Sequence, residues 1–139
     1  MNPRYPLVAQ RAAHQCEYCR APEALFNLPF EVEHIIPPIH RGPDEDSNWA
    51  LSCRSCNLYK SAHIEGVDPE TRTTVGLFHP RQSLWADHFR LEASTASIVG
   101  LTATGRATVA RLQMNSPAQV AARRQWARLH LFPPGEGGD

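Results

Sequence analysis

CEYC at residues 16–19 and CRSC at residues 53–56 frame the segment FEVEHIIPPIHRGPDEDSNWALS, residues 30–52, and this frame decides how the chain folds. The two C-x-x-C pairs use all four cysteines of the chain, with none left over. Two thiolates in a tight turn can reach one ion at about 2.3 Å, so two such pairs read as one tetrahedral zinc site with Cys16, Cys19, Cys53 and Cys56 as ligands. Two duller readings compete with it. A pair of disulfides belongs to a secreted chain, and nothing here suggests secretion. A thioredoxin-like redox motif needs only one pair, in a strand–helix setting. The spacing favours structural zinc in a reducing compartment.

Outward from the frame, RYPLVAQRAAH (residues 4–14) spaces Leu7, Val8, Arg11 and Ala12 as a helix that delivers the chain to Cys16. Residues 21–29, with Pro22 and Pro29, read as a loop. Phe30 to Glu33 alternates apolar and polar like a half-buried strand that Ile35 and Ile36 can extend, and Pro37-Pro38 must end it. HRGPDEDS (residues 40–47) is an exposed turn, residues 48–52 a second short strand, and residues 54–62 tolerate a helix. Beyond it, residues 69–80 read as irregular, and residues 83–92 as a short strand or one helical turn. Residues 98–101 read as strand, and residues 104–114 as a helix capped by Thr104. Ser116-Pro117 opens a last helix running to about residue 131. The composition of residues 132–139 suggests a disordered tail. The expectation is an α+β chain of one domain: a zinc-braced core at about residues 16–60, and a strand/helix extension over about residues 70–131.

In full the pattern is C-x-x-C, E-H-I-I-P, G-P-x-x-D, then N-W-A-L-S-C-R-S-C-N-x-x-K. It resembles the four-cysteine branch of the HNH endonucleases, the ββα-metal nucleases, over about residues 16–60. The downstream G-L-F-H-P-R…W-x-x-H-F…G-L-T-x-x-G-R-A-T looks like the extension of a bacterial subgroup of HNH proteins. The resemblance implies a ββα unit braced by zinc and a metal-dependent cut of DNA that leaves 5′-phosphate and 3′-hydroxyl ends. It implies that His34 is the general base activating water and that Glu33 binds the catalytic divalent ion. Asn48 would pin the loop and orient His34, and Asn57 would be a second ligand of the ion. An amide oxygen in place of an imidazole suits a hard ion, Mg2+ or Mn2+.

The chemistry is consistent with the residues themselves. Phosphodiester hydrolysis needs an oriented water, a base near neutral pKa, and positive charge at the phosphate. Glu33 and His34 are neighbours, so on a regular strand they point to opposite faces. For both to serve one site the backbone must bend there, and the Ile-Ile-Pro-Pro run offers a bend. His63, a turn or two past Asn57, is a further residue that can approach the ion.

Whole-chain charge gives no support to a polyanion partner, with 14 basic against 14 acidic residues. Its distribution says more. Residues 93–135 carry Arg106, Arg111, Arg123, Arg124 and Arg128 and no acid. Together with Lys60, the first four are the candidate phosphate contacts on DNA; a solvated helix face is the bland alternative. No apolar run approaches the ~20 residues of a bilayer span, and the N-terminus lacks a secretory core, so a cytoplasmic location is expected. Two rival functions stay open: a zinc-braced nucleic-acid-binding module without turnover, and an interaction module whose specificity comes from a protein partner.

Overall fold

A computed structural model describes residues 2–134. Helix α1 (Tyr5–Arg11) starts with Pro6 in its first turn and buries Val8 and Ala9. The chain then turns through the first cysteine pair and enters β1 (Glu31–His34), which pairs antiparallel with β2 (Trp49–Ser52). Every residue of β2 is buried. Helix α2 (Arg54–Lys60) follows at once, with Cys53 as its N-cap: the Cys53 sulfur accepts from the Cys56 N–H. Strand, strand and helix thus form the ββα unit expected from the sequence.

The extension holds two more hairpins, β3 (Glu65–Val67) with β4 (Thr74–Gly76) and β5 (Phe89–Glu92) with β6 (Ser97–Gly100). Between them lies the single turn α3 (Trp85–His88), and after them come α4 (Ala103–Arg111) and α5 (Pro117–Arg128). The first of these hairpins corrects the irregular reading of residues 69–80. Its tight end is organised by buried Asp68, whose carboxylate accepts from the Glu70 N–H at 3.0 Å and the Thr71 hydroxyl at 2.7 Å. Such an Asx turn is a local signal, masked in sequence by strands only three residues long. Residues 83–92 are both alternatives in succession, a helical turn and then a strand.

Helix α4 begins one residue earlier than expected, and Thr102, not Thr104, caps it by accepting from the Gly105 N–H at 3.0 Å. Gly105 is required by close approach: a Cβ there would meet the His88 carbonyl oxygen at 2.1 Å. Ser116 caps α5 as expected, with Pro117 in its first turn.

One cluster of buried side chains runs from Val8 and Tyr18 through Leu51 to Phe78, Phe89, Ile98, Leu112 and Met114, so the cysteine-bearing half and the extension share a core. Phe132 is buried, with its ring 6.2 Å from that of Trp126, so order extends past the residue where the tail was expected to loosen. The rest of that expectation, residues 135–139, lies outside the described residues. Among the described residues, no helix is long and apolar enough to cross a membrane.

Candidate functional site

The four cysteines come from the turn after α1 and from the β2–α2 junction, and all are nearly inaccessible. Their sulfurs lie within 4.8 Å of one another, and those of Cys19 and Cys53 are 3.7 Å apart. That separation far exceeds a disulfide bond of about 2.05 Å. It matches the edge of a tetrahedron with metal–sulfur bonds of about 2.3 Å, which is roughly 3.8 Å. The N–H of Cys19 approaches the Cys16 sulfur at 3.4 Å, and the N–H of Cys56 approaches that of Cys53 at the same distance. These are the donors that anionic thiolates need in a dry site. The donor set is positioned to hold an ion such as zinc.

The β1–β2 ladder runs without interruption through Glu33↔Ala50 and His34↔Trp49. Glu33 and His34 themselves are regular strand, and the chain bends just after them, at Ile35-Ile36, ahead of Pro37-Pro38. Period two prevails, and the two side chains face opposite ways. Glu33 points inward and is buried. One of its oxygens accepts from the Tyr18 hydroxyl, and the other accepts from the Lys60 ammonium at 3.1 Å. Burial pushes its carboxyl above the ordinary range, against the opposing pull of Lys60 and Tyr18.

Lys60 is also buried, and it donates further to the carbonyls of His34 at 3.3 Å and Ile35 at 2.9 Å. This corrects the expectation that Lys60 touches phosphate. Residue 60 stands one helical turn beyond Cys56, so it lies on the face of α2 that the cysteines press against the hairpin. With both Glu33 oxygens engaged and an ammonium beside them, this arrangement does not fit a divalent ion at Glu33. Asn57, the other expected ligand, is half-buried on α2 and makes no side-chain hydrogen bond among the described residues.

His34 points outward. Its Nε2–H donates to Asp44 at 2.7 Å, and its ring lies 4.2 Å from that of Trp49, its strand partner. A carboxylate on Nε2 fixes the tautomer and leaves Nδ1 as the basic nitrogen. Asp44 was not singled out from the sequence. It stands in the turn that Asn48 folds back, and only that fold brings it to His34.

Buried Asn48 accepts from the Ile36 N–H at 2.9 Å and donates to the carbonyls of Ile36 at 2.8 Å and Pro43 at 2.9 Å. Gly42 is where the loop closes, since a Cβ there would meet the Ile36 carbonyl oxygen at 1.6 Å.

The C-terminal arginines divide. Arg123 is fully buried and donates to the carbonyls of Ala96 and Met114, so it is a structural tie and no phosphate contact. Arg106 grips Asp68 with two bonds of 2.9 Å and approaches Glu70 at 3.2 Å, so its charge is already matched. Arg111 and Arg124 are exposed. Arg111 lies 3.2 Å from His63 Nε2, which is where the structure places that histidine.

The family model described as HNH endonuclease matches residues 16–63, spanning the cysteine clamp, both strands and α2. Residues 16–63 are an HNH domain. Comparison with curated proteins gives no match, and neither does comparison with solved structures. Within the HNH domain, the inward side of β1 is a buried ionic cluster and the outward side presents a polarised histidine.

Proposed function

We propose that this HNH domain makes the chain an endonuclease that hydrolyses phosphodiester bonds in DNA, with His34 as the general base. The observation that carries this reading is the His34–Asp44 pair at 2.7 Å, on a loop pinned by Asn48 and a hairpin set by the cysteine clamp. Asp44 holds the imidazole in one tautomer, and the free nitrogen takes a proton from water. The resulting hydroxide attacks phosphorus, the P–O3′ bond breaks, and the departing O3′ takes a proton from solvent water, giving 5′-phosphate and 3′-hydroxyl ends. Structural zinc at Cys16, Cys19, Cys53 and Cys56 would hold the strand that carries the base. Mg2+ or Mn2+ would be the activating ion of such a reaction, supplying positive charge to the phosphate.

The test is plasmid nicking by the zinc-loaded protein with and without added Mg2+ or Mn2+. Nicking that falls by a factor of ~100 or more in His34→Ala, the typical contribution of a general base, supports the reading. Undiminished nicking in that variant refutes it. A second reading, a zinc-braced nucleic-acid-binding module without turnover, is favoured by the engaged oxygens of Glu33. It predicts salt-dependent binding and no nicking in either ion.

A further inference from the structure

Of the arginines expected to meet phosphate, Arg106 and Arg123 are engaged within the fold and Arg111 and Arg124 are exposed, and a separate positive cluster lies beside His34. Trp49, the strand partner of His34, gathers it. The Arg4 guanidinium sits over the Trp49 ring at 4.8 Å, and Arg11 donates to the Trp49 carbonyl at 2.6 Å and to the Asp46 carbonyl at 2.9 Å. Arg4 is 41% exposed, with the Asp46 carboxylate at 3.9 Å, and Arg11 is exposed, its partners being neutral carbonyls that leave its charge unmatched. Seven residues apart, they share one face of α1, roughly 10 Å from end to end. Trp49 also carries a buried indole N–H with no acceptor among the described residues. Such a group normally has a partner.

Arg11 belongs to a second feature as well. It lines a cavity of about 540 Å3, a size suited to a small organic group, with Phe78, Trp85 and Phe132 among its walls. Arg20 lies over the Trp85 ring at 5.2 Å. Aromatic walls beside guanidinium groups are what unstacked bases use, and a base inside a duplex cannot enter such a space.

We propose that α1 and this cavity form the track of a single nucleic-acid strand, with backbone phosphates on Arg4 and Arg11 beside His34 and a flanking base in the cavity beyond Arg11. This deepens the nuclease reading and rests on it for the substrate class. It places the strand on the N-terminal helix and away from the arginines of α4 and α5.

The test is fluorescence anisotropy of a short labelled deoxyoligonucleotide of mixed sequence with the zinc-loaded protein, without added Mg2+ or Mn2+, as single strand and as duplex. Arg4→Gln and Arg11→Gln are each expected to weaken single-strand binding roughly tenfold, the scale of one charge-assisted hydrogen bond. Each should flatten the log–log salt dependence by about 0.7. Arg11→Lys should recover most of the loss, which separates charge from any effect of Arg11 on the loop. Leu7, exposed between the two arginines on the same face, offers a gain: Leu7→Lys should tighten binding. Arg111→Gln and Arg124→Gln should bind as wild type, and the duplex more weakly than the single strand.

Wild-type affinity in Arg4→Gln and Arg11→Gln overturns the proposal. So does loss confined to Arg111→Gln and Arg124→Gln, or a duplex that binds as tightly as the strand. These outcomes leave the nuclease reading standing, because His34→Ala nicking decides it separately. Wild-type protein that binds neither probe also overturns the track, and nicking again decides the rest.

Discussion

Replacing Lys60 with methionine should be the most damaging single change in the HNH domain outside the cysteines. The side chain keeps its length and loses its charge. Lys60 and Glu33 are 1% and 7% exposed, so water cannot take over the role of the ammonium. Removing one member of a buried ion pair costs about 3–5 kcal/mol, because the other is left charged and unpaired. The carbonyls of His34 and Ile35 lose a donor as well, which argues for the upper part of that range. The expected result is a fall in melting temperature on the order of 10 °C or more, read by circular dichroism on zinc-loaded protein at pH 7.

The pH dependence of this loss carries the diagnosis. The Glu33 carboxyl is already raised by burial, and without Lys60 it rises further. A group raised in the folded state favours folding when protonated, and that contribution is lost as pH climbs through its folded value. The gap between Lys60→Met and wild type should therefore narrow as pH is lowered from 7 towards 5. A loss under about 1 kcal/mol, or a gap that does not change with pH, would refute the assignment of Lys60 as the buried counter-ion of Glu33.

Removing zinc with a chelator should abolish cooperative unfolding, because metal binding contributes about 10–16 kcal/mol in small zinc units. The four thiols should then react with a thiol reagent, and unchanged near-ultraviolet dichroism after chelation would count against the clamp. Asn48→Ala should cost about 1–3 kcal/mol, since it strands the Ile36 N–H and frees the Pro43 turn; it should also lower any His34-dependent nicking, as Asp44 loses its place. Glu23→Gln should destabilise at neutral pH and much less in acid. Burial alone would raise the Glu23 carboxyl, but bonds from His14, the Phe30 N–H and Tyr5 outweigh it and lower it. A lowered carboxyl contributes stability that is present above the ordinary carboxylate range and lost as pH falls through its folded value. Urea titrations of variant and wild type from pH 7 to pH 3 read this directly.

The clamp and the ββα unit were legible because they are local. Two C-x-x-C pairs state their own geometry, and alternation over residues 30–33 states a strand. What sequence did not yield depends on partners distant along the chain. Lys60 looks like any helical lysine until α2 packs on β1, and Arg123 like a solvated arginine until α5 covers the Ala96 and Met114 carbonyls. Asp44 becomes a partner of His34 only through the loop that Asn48 closes. The β3–β4 hairpin was missed because its strands are too short to show a period, though the Asp68 turn between them was readable. Glu33 differs in kind: strand alternation puts it on the face opposite His34, whereas the resemblance implies one site for both.

That conflict can be settled by one conservative change. Glu33→Gln keeps the volume and an oxygen for the Tyr18 hydroxyl, but it removes the negative charge and turns an amide N–H2 or a neutral oxygen towards Lys60. If Glu33 acts as the ligand of an activating ion, the variant should need far more Mg2+ or Mn2+ for half-maximal nicking while its stability changes little. If Glu33 acts as the counter-ion of Lys60, a buried ammonium loses its only carboxylate partner within bonding distance among the described residues. Stability then falls by a few kcal/mol, while the metal titration keeps its midpoint. Tyr18 extends the second outcome across the molecule. It stands inside the first cysteine pair, its hydroxyl meets Glu33, and its carbonyl accepts from the Trp85 indole at 2.7 Å. Loosening Glu33 should therefore also weaken the seat of the extension on the first cysteine turn, and Trp85 fluorescence should shift in Glu33→Gln before the protein unfolds. A metal-ligand role alone gives no reason for that shift, so its absence, together with a displaced metal midpoint, would return Glu33 to the ion.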